Sequence, residues 1–186
     1  PDENIEALKE AVRLGNVDFT RLPFNEAPSF SLPYHEDELR MILFLIGRPF
    51  FLMLRESSEN NEEFREDGRC SVCGGTPSLS YVTNDNRRKL SCSFCGNKGF
   101  YMRIGCPVCL NTDTSLLDII NVDGEKGCRV DTCKKCGSYI KTFDESFMIK
   151  HGADTADILS LPLDIIAQER GFHRNSPNPL GITKII

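Results

Sequence analysis

Apolar positions change their spacing twice along the chain. Near the start, Ile5, Leu8, Val12 and Leu14 recur at close to 3.6 residues, which predicts an amphipathic helix stopped by Gly15. Pro23, Pro28 and Pro33 then punctuate a loop. A longer helix is expected from about Glu36, with Glu36, Asp37 and Glu38 in its first turn, where the helix dipole favours negative charge. Proline lacks the amide hydrogen that a helix interior needs, so Arg48-Pro49 is expected to kink or divide it. Glu56 to Asp67 holds five Glu and one Asp and reads as a linker.

From residue 70 to 143 the spacing shortens to that of strands. β-prone runs are Leu79–Thr83, Arg88–Leu90, Phe100–Ile104, Ser115–Val122, Gly127–Val130 and Ser138–Phe143, with Asn84-Asp85-Asn86 and Asp123-Gly124 as turns. Helical spacing returns between Ala153 and Arg170 through Ile158, Leu159, Leu161, Leu163, Ile165 and Ile166. Pro162 should bend this segment or start a new one capped by Ser160, and Gly171 should end it. Asn175 to Pro179 reads as an extended, exposed strip.

Composition adds one unusual fact. The 186 residues are 40% hydrophobic and 26% charged, ordinary for a globular chain, but nine are cysteine. The longest apolar run, Met41 to Leu54, is broken by Gly47, Arg48 and Pro49, so no membrane insertion is expected. The opening Pro1-Asp2-Glu3-Asn4 shows no signal peptide, and a start at Pro points to sequence upstream. Eight cysteines form four Cys-x-x-Cys pairs: Cys70/Cys73, Cys92/Cys95, Cys106/Cys109 and Cys133/Cys136. An odd total in paired knuckles argues against a secreted disulfide scaffold.

One such pair brings two sulfurs to one ion, and a second pair across a hairpin completes a tetrahedral four-sulfur site. The intervals here are 18 residues between Cys73 and Cys92 and 23 between Cys109 and Cys133. The simplest pairing is Cys70/Cys73/Cys92/Cys95 with Cys106/Cys109/Cys133/Cys136, although interleaved pairings stay open at this level. Gly74, Gly96 and Gly137 follow three of the pairs and permit the positive φ such a knuckle needs. Leu110 follows the fourth, so that motif looks imperfect. Zn and a single Fe both suit four thiolates. Cys128 reads as a half-buried strand residue.

Charge and the missing catalytic patterns narrow the function. Residues 70–140 carry nine Lys/Arg against six Asp/Glu, and eight thiolates with two divalent ions would bring that block to a net −1. Arg87-Arg88-Lys89 is then a solvated hairpin tip, and no nucleic acid is expected as a partner. His35, His151 and His173 are scattered, with no metalloprotease spacing, phosphate loop or dinucleotide fingerprint. No catalytic residue is assigned. A binding or assembly module is favoured over an enzyme.

These residues, in this order, resemble the formate dehydrogenase accessory protein family, the FdhE type. The resemblance runs from Ile46-Gly47-Arg48-Pro49-Phe50 through Cys70-Ser71-Val72-Cys73-Gly74, Cys92-Ser93-Phe94-Cys95-Gly96 and Phe100-Tyr101. It continues through Arg103, Cys106-Pro107-Val108-Cys109 and Cys133-Lys134-Lys135-Cys136-Gly137 with Ser138-Tyr139-Ile140-Lys141. Leu163-Asp164, Glu169-Arg170-Gly171-Phe172 and Asn178-Pro179 close it; Pro162 departs from the family pattern. It implies a cytoplasmic, non-enzymatic maturation factor that binds the catalytic subunit of respiratory formate dehydrogenase. It also implies two mononuclear metal ions, with Fe favoured over Zn. A rubredoxin-like electron carrier and a zinc-ribbon nucleic-acid-binding regulator are the competing functions.

The expected fold is α+β and metal-bound: two tandem rubredoxin-like or zinc-ribbon units flanked by N-terminal and C-terminal helices. The expected divisions are 1–66 helical, 67–104 first ribbon, 105–145 second ribbon, and 146–186 helix and tail. Oligomeric state is not readable from these patterns.

Overall fold

A computed structural model describes residues 2–24, 35–58, 62–122 and 127–186. The expected turn at Asp123-Gly124 and the prolines Pro28 and Pro33 lie outside the described residues.

Helix α1 (Asp2–Arg13) ends where Gly15 takes φ +73°. A 3-10 segment (Phe19–Phe24) leads towards α2 (Glu36–Ser57), whose entry is marked by the His35 backbone N–H donating to Glu38 Oε2 at 3.3 Å. Leu8, Ala11 and Val17 pack on Leu39 and Leu43, making a small helical core. Contrary to the sequence expectation, α2 runs unbroken through Pro49. The reason lies in its buried face. Leu43, Phe44 and Phe51 all point into cores on both sides of the proline, and a Cβ on Gly47 would stand 2.8 Å from Leu22 Cδ1. Arg48 Nε also donates to the Ser93 carbonyl at 2.8 Å, tying the turn before Pro49 to the first ribbon. Burial on that scale outweighs the single hydrogen bond that proline forfeits.

Each expected run holds a strand, though the third lies earlier than the expected Phe100–Ile104: β1 (Leu79–Val82), β2 (Arg88–Ser91), β3 (Lys98–Tyr101), β4 (Leu117–Ile120), β5 (Cys128–Cys133) and β6 (Ser138–Asp144). They make one sheet, in the order β3-β2-β1-β6-β5-β4. Each ribbon is antiparallel within itself, and the two are joined by the parallel pair β1–β6, with Leu79 opposite Lys141. A short β7 (His173–Arg174) runs parallel beside Ser138-Tyr139. The acidic stretch before the first knuckle is not a free linker. Glu63 bridges to Phe100, and Phe64 is buried in the core of the first ribbon.

Helices α3 (Glu145–Leu159) and α4 (Leu161–Glu169) cover β1, β5 and β6, with Met148, Ala156, Leu163 and Ala167 inward. Gly152, at φ +72°, breaks α3 locally, and Ser160 lies between the helices. The tail is not the exposed strip the sequence suggests. Ser176 and Asn178 are fully buried, and Asn178 Oδ1 accepts from the backbone N–H groups of Leu180 and Ile182.

The tail also completes a buried ionic square. Lys141 Nζ lies 2.6 Å from Asp157 and 2.5 Å from Asp164, and Arg174 pairs with both carboxylates as well. Tyr139 donates to Asp164 Oδ1 at 2.7 Å. Two cations face two anions, so the group is neutral and its hydrogen bonds are satisfied, the condition under which buried charge is tolerated. Arg174 and Lys141 hold the Asp157 carboxyl below the usual range although burial pushes it the other way.

Candidate metal centre

All four Cys-x-x-Cys knuckles share one backbone device. The residue after the second cysteine donates its N–H to the carbonyl of the first: Gly74 to Cys70 at 2.9 Å, Gly96 to Cys92 at 2.9 Å, Leu110 to Cys106 at 3.0 Å and Gly137 to Cys133 at 2.8 Å. The donor residue has positive φ each time, +74°, +70°, +59° and +72° in that order. The knuckle that looks imperfect in sequence therefore closes the same turn, with Leu110 held in the left-handed region that a side chain disfavours.

The turns gather the sulfurs into two groups, Cys70/Cys73/Cys92/Cys95 and Cys106/Cys109/Cys133/Cys136, each with its four Sγ atoms within 4.8 Å of one another. Four sulfurs about 2.3 Å from a central ion would stand about 3.8 Å apart. The observed separations are 3.4 Å for Cys70–Cys95, 3.5 Å for Cys73–Cys92, and 3.7 Å for both Cys106–Cys136 and Cys109–Cys133. These are far beyond a disulfide bond and fit a slightly contracted tetrahedron. Each group can hold one metal ion. Cys128 lies half-buried on β5, as expected, between two hydrophobic clusters and outside both groups.

So many thiols at this range cannot all ionise alone. In the first group, hydrogen bonding among the sulfurs holds Cys70 down and pushes Cys73 and Cys92 up, which is how protons are shared when no cation replaces them. In the second group, burial raises Cys136, but the Ser138 hydroxyl and backbone N–H, with the neighbouring thiols, outweigh it and bring it to about 7. Ser138 Oγ lies 2.9 Å from Cys136 Sγ and 3.6 Å from Cys106 Sγ. A hydroxyl at that place favours thiolate over thiol, as metal ligation requires.

The hairpin tip Arg87-Arg88-Lys89, expected to be solvated throughout, is divided instead. Arg87 and Lys89 lie over the Phe100 ring at 3.4 and 4.1 Å from its centre, whereas Arg88 is buried between the ribbons and donates to the Gly105 carbonyl at 2.8 Å. Strand alternation separates them: 87 and 89 share one face, and 88 has the other. Sequence reasoning missed the ionic square. The available signal was a charge placed inside an apolar run, at Lys141 in Ser138–Phe143 and at Asp164 in Leu161–Ile166.

Two cysteine-knuckle ribbons fused through a parallel strand pair define a double four-cysteine protein with helical flanks. Residues 90–180 match the family model described as FdhE, C-terminal domain. The protein FdhE homolog of Aquifex aeolicus (strain VF5) is 33% identical over 153 residues, covering 78% of this chain and 53% of that protein. Protein FdhE of Escherichia coli O1:K1 / APEC is 31% identical over 114 residues, 59% of this chain and 36% of the other. The crystal structure of the FdhE protein from Pseudomonas aeruginosa matches with a TM-score of 0.53 at 34% identity, covering 61% of this chain and 41% of that one. The chain is similar to FdhE proteins along most of its length. It spans about half the length, or less, of these curated relatives.

Proposed function

We propose that this chain is the metal-binding portion of a formate dehydrogenase accessory protein, a non-catalytic maturation factor that binds the catalytic subunit of the enzyme in the cytoplasm. The observation that carries the reading is the pair of intact four-cysteine groups set in a sheet of FdhE type. Cys70, Cys73, Cys92 and Cys95 hold one ion, and Cys106, Cys109, Cys133 and Cys136 the other. Iron is favoured by the family resemblance, with zinc the alternative. Closed four-thiolate sites leave no open position for substrate, which supports a binding role over an enzymatic one.

In this reading residues 1–66 and 146–186 are flanks that brace the ribbons at 67–104 and 105–145, and the exposed apolar residues of α2, with Phe50 at 65% exposure, are available to the client. No helix among the described residues is long and apolar enough to cross a membrane. The burial of Arg88 weakens the basic edge a nucleic-acid partner would use.

Affinity purification from cells expressing formate dehydrogenase, with metal analysis of the same sample, tests the proposal. Co-purification of the catalytic subunit with about two metal ions per chain supports it. Failure to retain the subunit with both metals bound refutes the accessory role. A redox reading is favoured by one observation: Cys109 and Cys136 are only half-buried, which would bring an iron there close to a partner. Reversible bleaching of visible thiolate-to-iron absorption on reduction would support that reading.

A further inference from the structure

Helices α3 and α4 cover only one face of the second ribbon. The other face, carrying Leu117 and Ile119 of β4 and Ile140 of β6, is walled by the segment 103–108 and borders a half-open cavity of about 240 Å³. Arg88 stands in its wall with 4% of its surface exposed. Its Nε donates to Ser80 Oγ at 3.2 Å and its Nη1 to the Gly105 carbonyl at 2.8 Å. Its Nη2 lies 4.0 Å from Asp131 Oδ2, beyond hydrogen-bond reach, and no nearer acceptor stands against it among the described residues.

Asp131 is engaged elsewhere. Its Oδ1 accepts from Arg129 Nε at 2.8 Å and its Oδ2 from Thr142 Oγ1 at 2.7 Å. A single carboxylate thus serves two guanidinium groups. Arg103 lines the same cavity and donates to a neutral acceptor, Asn86 Oδ1. The other lining carboxylate, Asp118, is shared with Lys134 at 3.3 Å. Cys106 lines the same cavity, and among the described residues its sulfur accepts no hydrogen bond from Arg88. Burial, the largest influence on Arg88, works against its charge. Lys141 and Arg174 show the contrast, since there two buried cations face two buried carboxylates.

We propose that this cavity binds a short-chain monocarboxylate, its carboxylate received by the Arg88 guanidinium and its alkyl part lying against Ile104, Leu117 and Ile119. The planar guanidinium matches a carboxylate in geometry, and a charged acceptor would satisfy the Nη2 donors. The mostly apolar walls at Ile104, Leu117 and Ile119 disfavour phosphate or sulfate, whose multiple charges would have to be desolvated there. The cavity lies just below the size range of drug-binding pockets, about 300–1,000 Å³, which suits a ligand of a few carbons. The site does not depend on the accessory role proposed above.

Titration of the metal-loaded chain with sodium butyrate at constant ionic strength, followed by two-dimensional NMR including the arginine Nε–Hε signals, tests the proposal. Saturable shifts are expected at residues 103–108 and 117–119 and at the Arg88 side chain. Butyramide has the same shape without the charge, and loss of a charged hydrogen bond should weaken it roughly tenfold or more. Inorganic phosphate should be weaker than butyrate as well. Arg88→Lys keeps the charge but not the fork and should lose most of the butyrate response. Ile119→Trp fills the cavity from a side chain that is 51% exposed, so both metals should stay bound while butyrate binding is lost. Equal responses to butyrate and butyramide, shifts confined to surface arginines, or undiminished binding by Ile119→Trp would overturn the proposal.

Discussion

The two cysteine groups are built from the same turn and differ in what surrounds them. Three of the four cysteines in the first are buried, and Phe44, Phe51 and Phe94 close over them, with the Phe44 and Phe94 rings edge-to-face at 5.0 Å. In the second, Cys106 and Cys133 are buried while Cys109 and Cys136 are half-exposed, and a hydroxyl, Ser138, replaces the aromatic lid. Ligand spacing decides that a four-sulfur site forms. Packing decides how far it is sealed from solvent and which other element it holds in place. The first site is fastened to α2, so its metal also anchors the N-terminal helices; the second opens beside the arginine-lined cavity.

The comparison breaks most severely when a ligand is removed. In such ribbons metal binding supplies on the order of 10 kcal/mol of folding energy per site. Cys73→Ser should lose one ion and release α2 from its core, whereas Cys136→Ser should lose the other ion and leave α2 docked. Metal content, with hydrogen exchange over 39–51 as the reporter for α2, distinguishes the two. Loss of both ions from either change would show that the shared β1–β6 pair makes the ribbons a single cooperative unit.

Removal of the tail comes next. Truncation after Arg170, or Arg174→Ala, leaves Asp157 and Asp164 buried with Lys141 alone, at an expected cost of about 3–5 kcal/mol. Thermal unfolding should shift downwards sharply while the first site keeps its metal better than the second, because the ionic square sits beneath β6. Asp157 is held below its ordinary pKa in the folded chain, so its contribution is complete above the unfolded value of about 4 and is lost as pH falls through the depressed folded one. Arg174→Ala should therefore raise the pH of acid unfolding.

A smaller difference should appear without any mutation. A chelator should strip the second site before the first, because attack needs access to a ligand and only the second presents two half-exposed sulfurs on its surface. Spectrophotometric release against time should show two phases, and Phe94→Ala, which opens the lid of the first site, should draw them together. Two phases that Phe94→Ala leaves unchanged would separate chelator access from aromatic cover.

What could be read in advance follows the same division between local and distant causes. The cysteine pairs, the strands and the turn glycines are local patterns, so both groups and all six long strands were legible. Pro49 misled because its helix is held by Leu43, Phe44 and Phe51 against partners far away in sequence. The tail misled for the same reason: Asn175 to Pro179 is polar and proline-rich, as exposed segments are, yet Ser176 meets Ser93 at 3.0 Å across 83 positions. Arg88 needed the β1–β6 pairing, and the ionic square needed α3, α4 and β7 brought against β6, neither of which a local pattern announces.

The smallest expected effect lies in the one knuckle that lacks glycine. Leu110 holds φ +59° at 46% exposure, so its side chain gains little from burial while its backbone sits where a Cβ is crowded. Left-handed backbone costs a non-glycine residue roughly 1–2 kcal/mol, and glycine would give back about 0.5–1 kcal/mol through the greater freedom of its unfolded chain. Leu110→Gly should therefore stabilise the second ribbon by no more than about 1 kcal/mol and slow loss of its metal slightly, with no change at the first. Leu110→Asn tolerates the same φ with less unfolded freedom and should do as well or better. Chelator-release rates measured beside thermal midpoints resolve a change of that size. If both substitutions instead loosen the second metal, Leu110 earns its place by shielding the Cys109 sulfur, and the two sites differ less in exposure than their cysteines alone suggest.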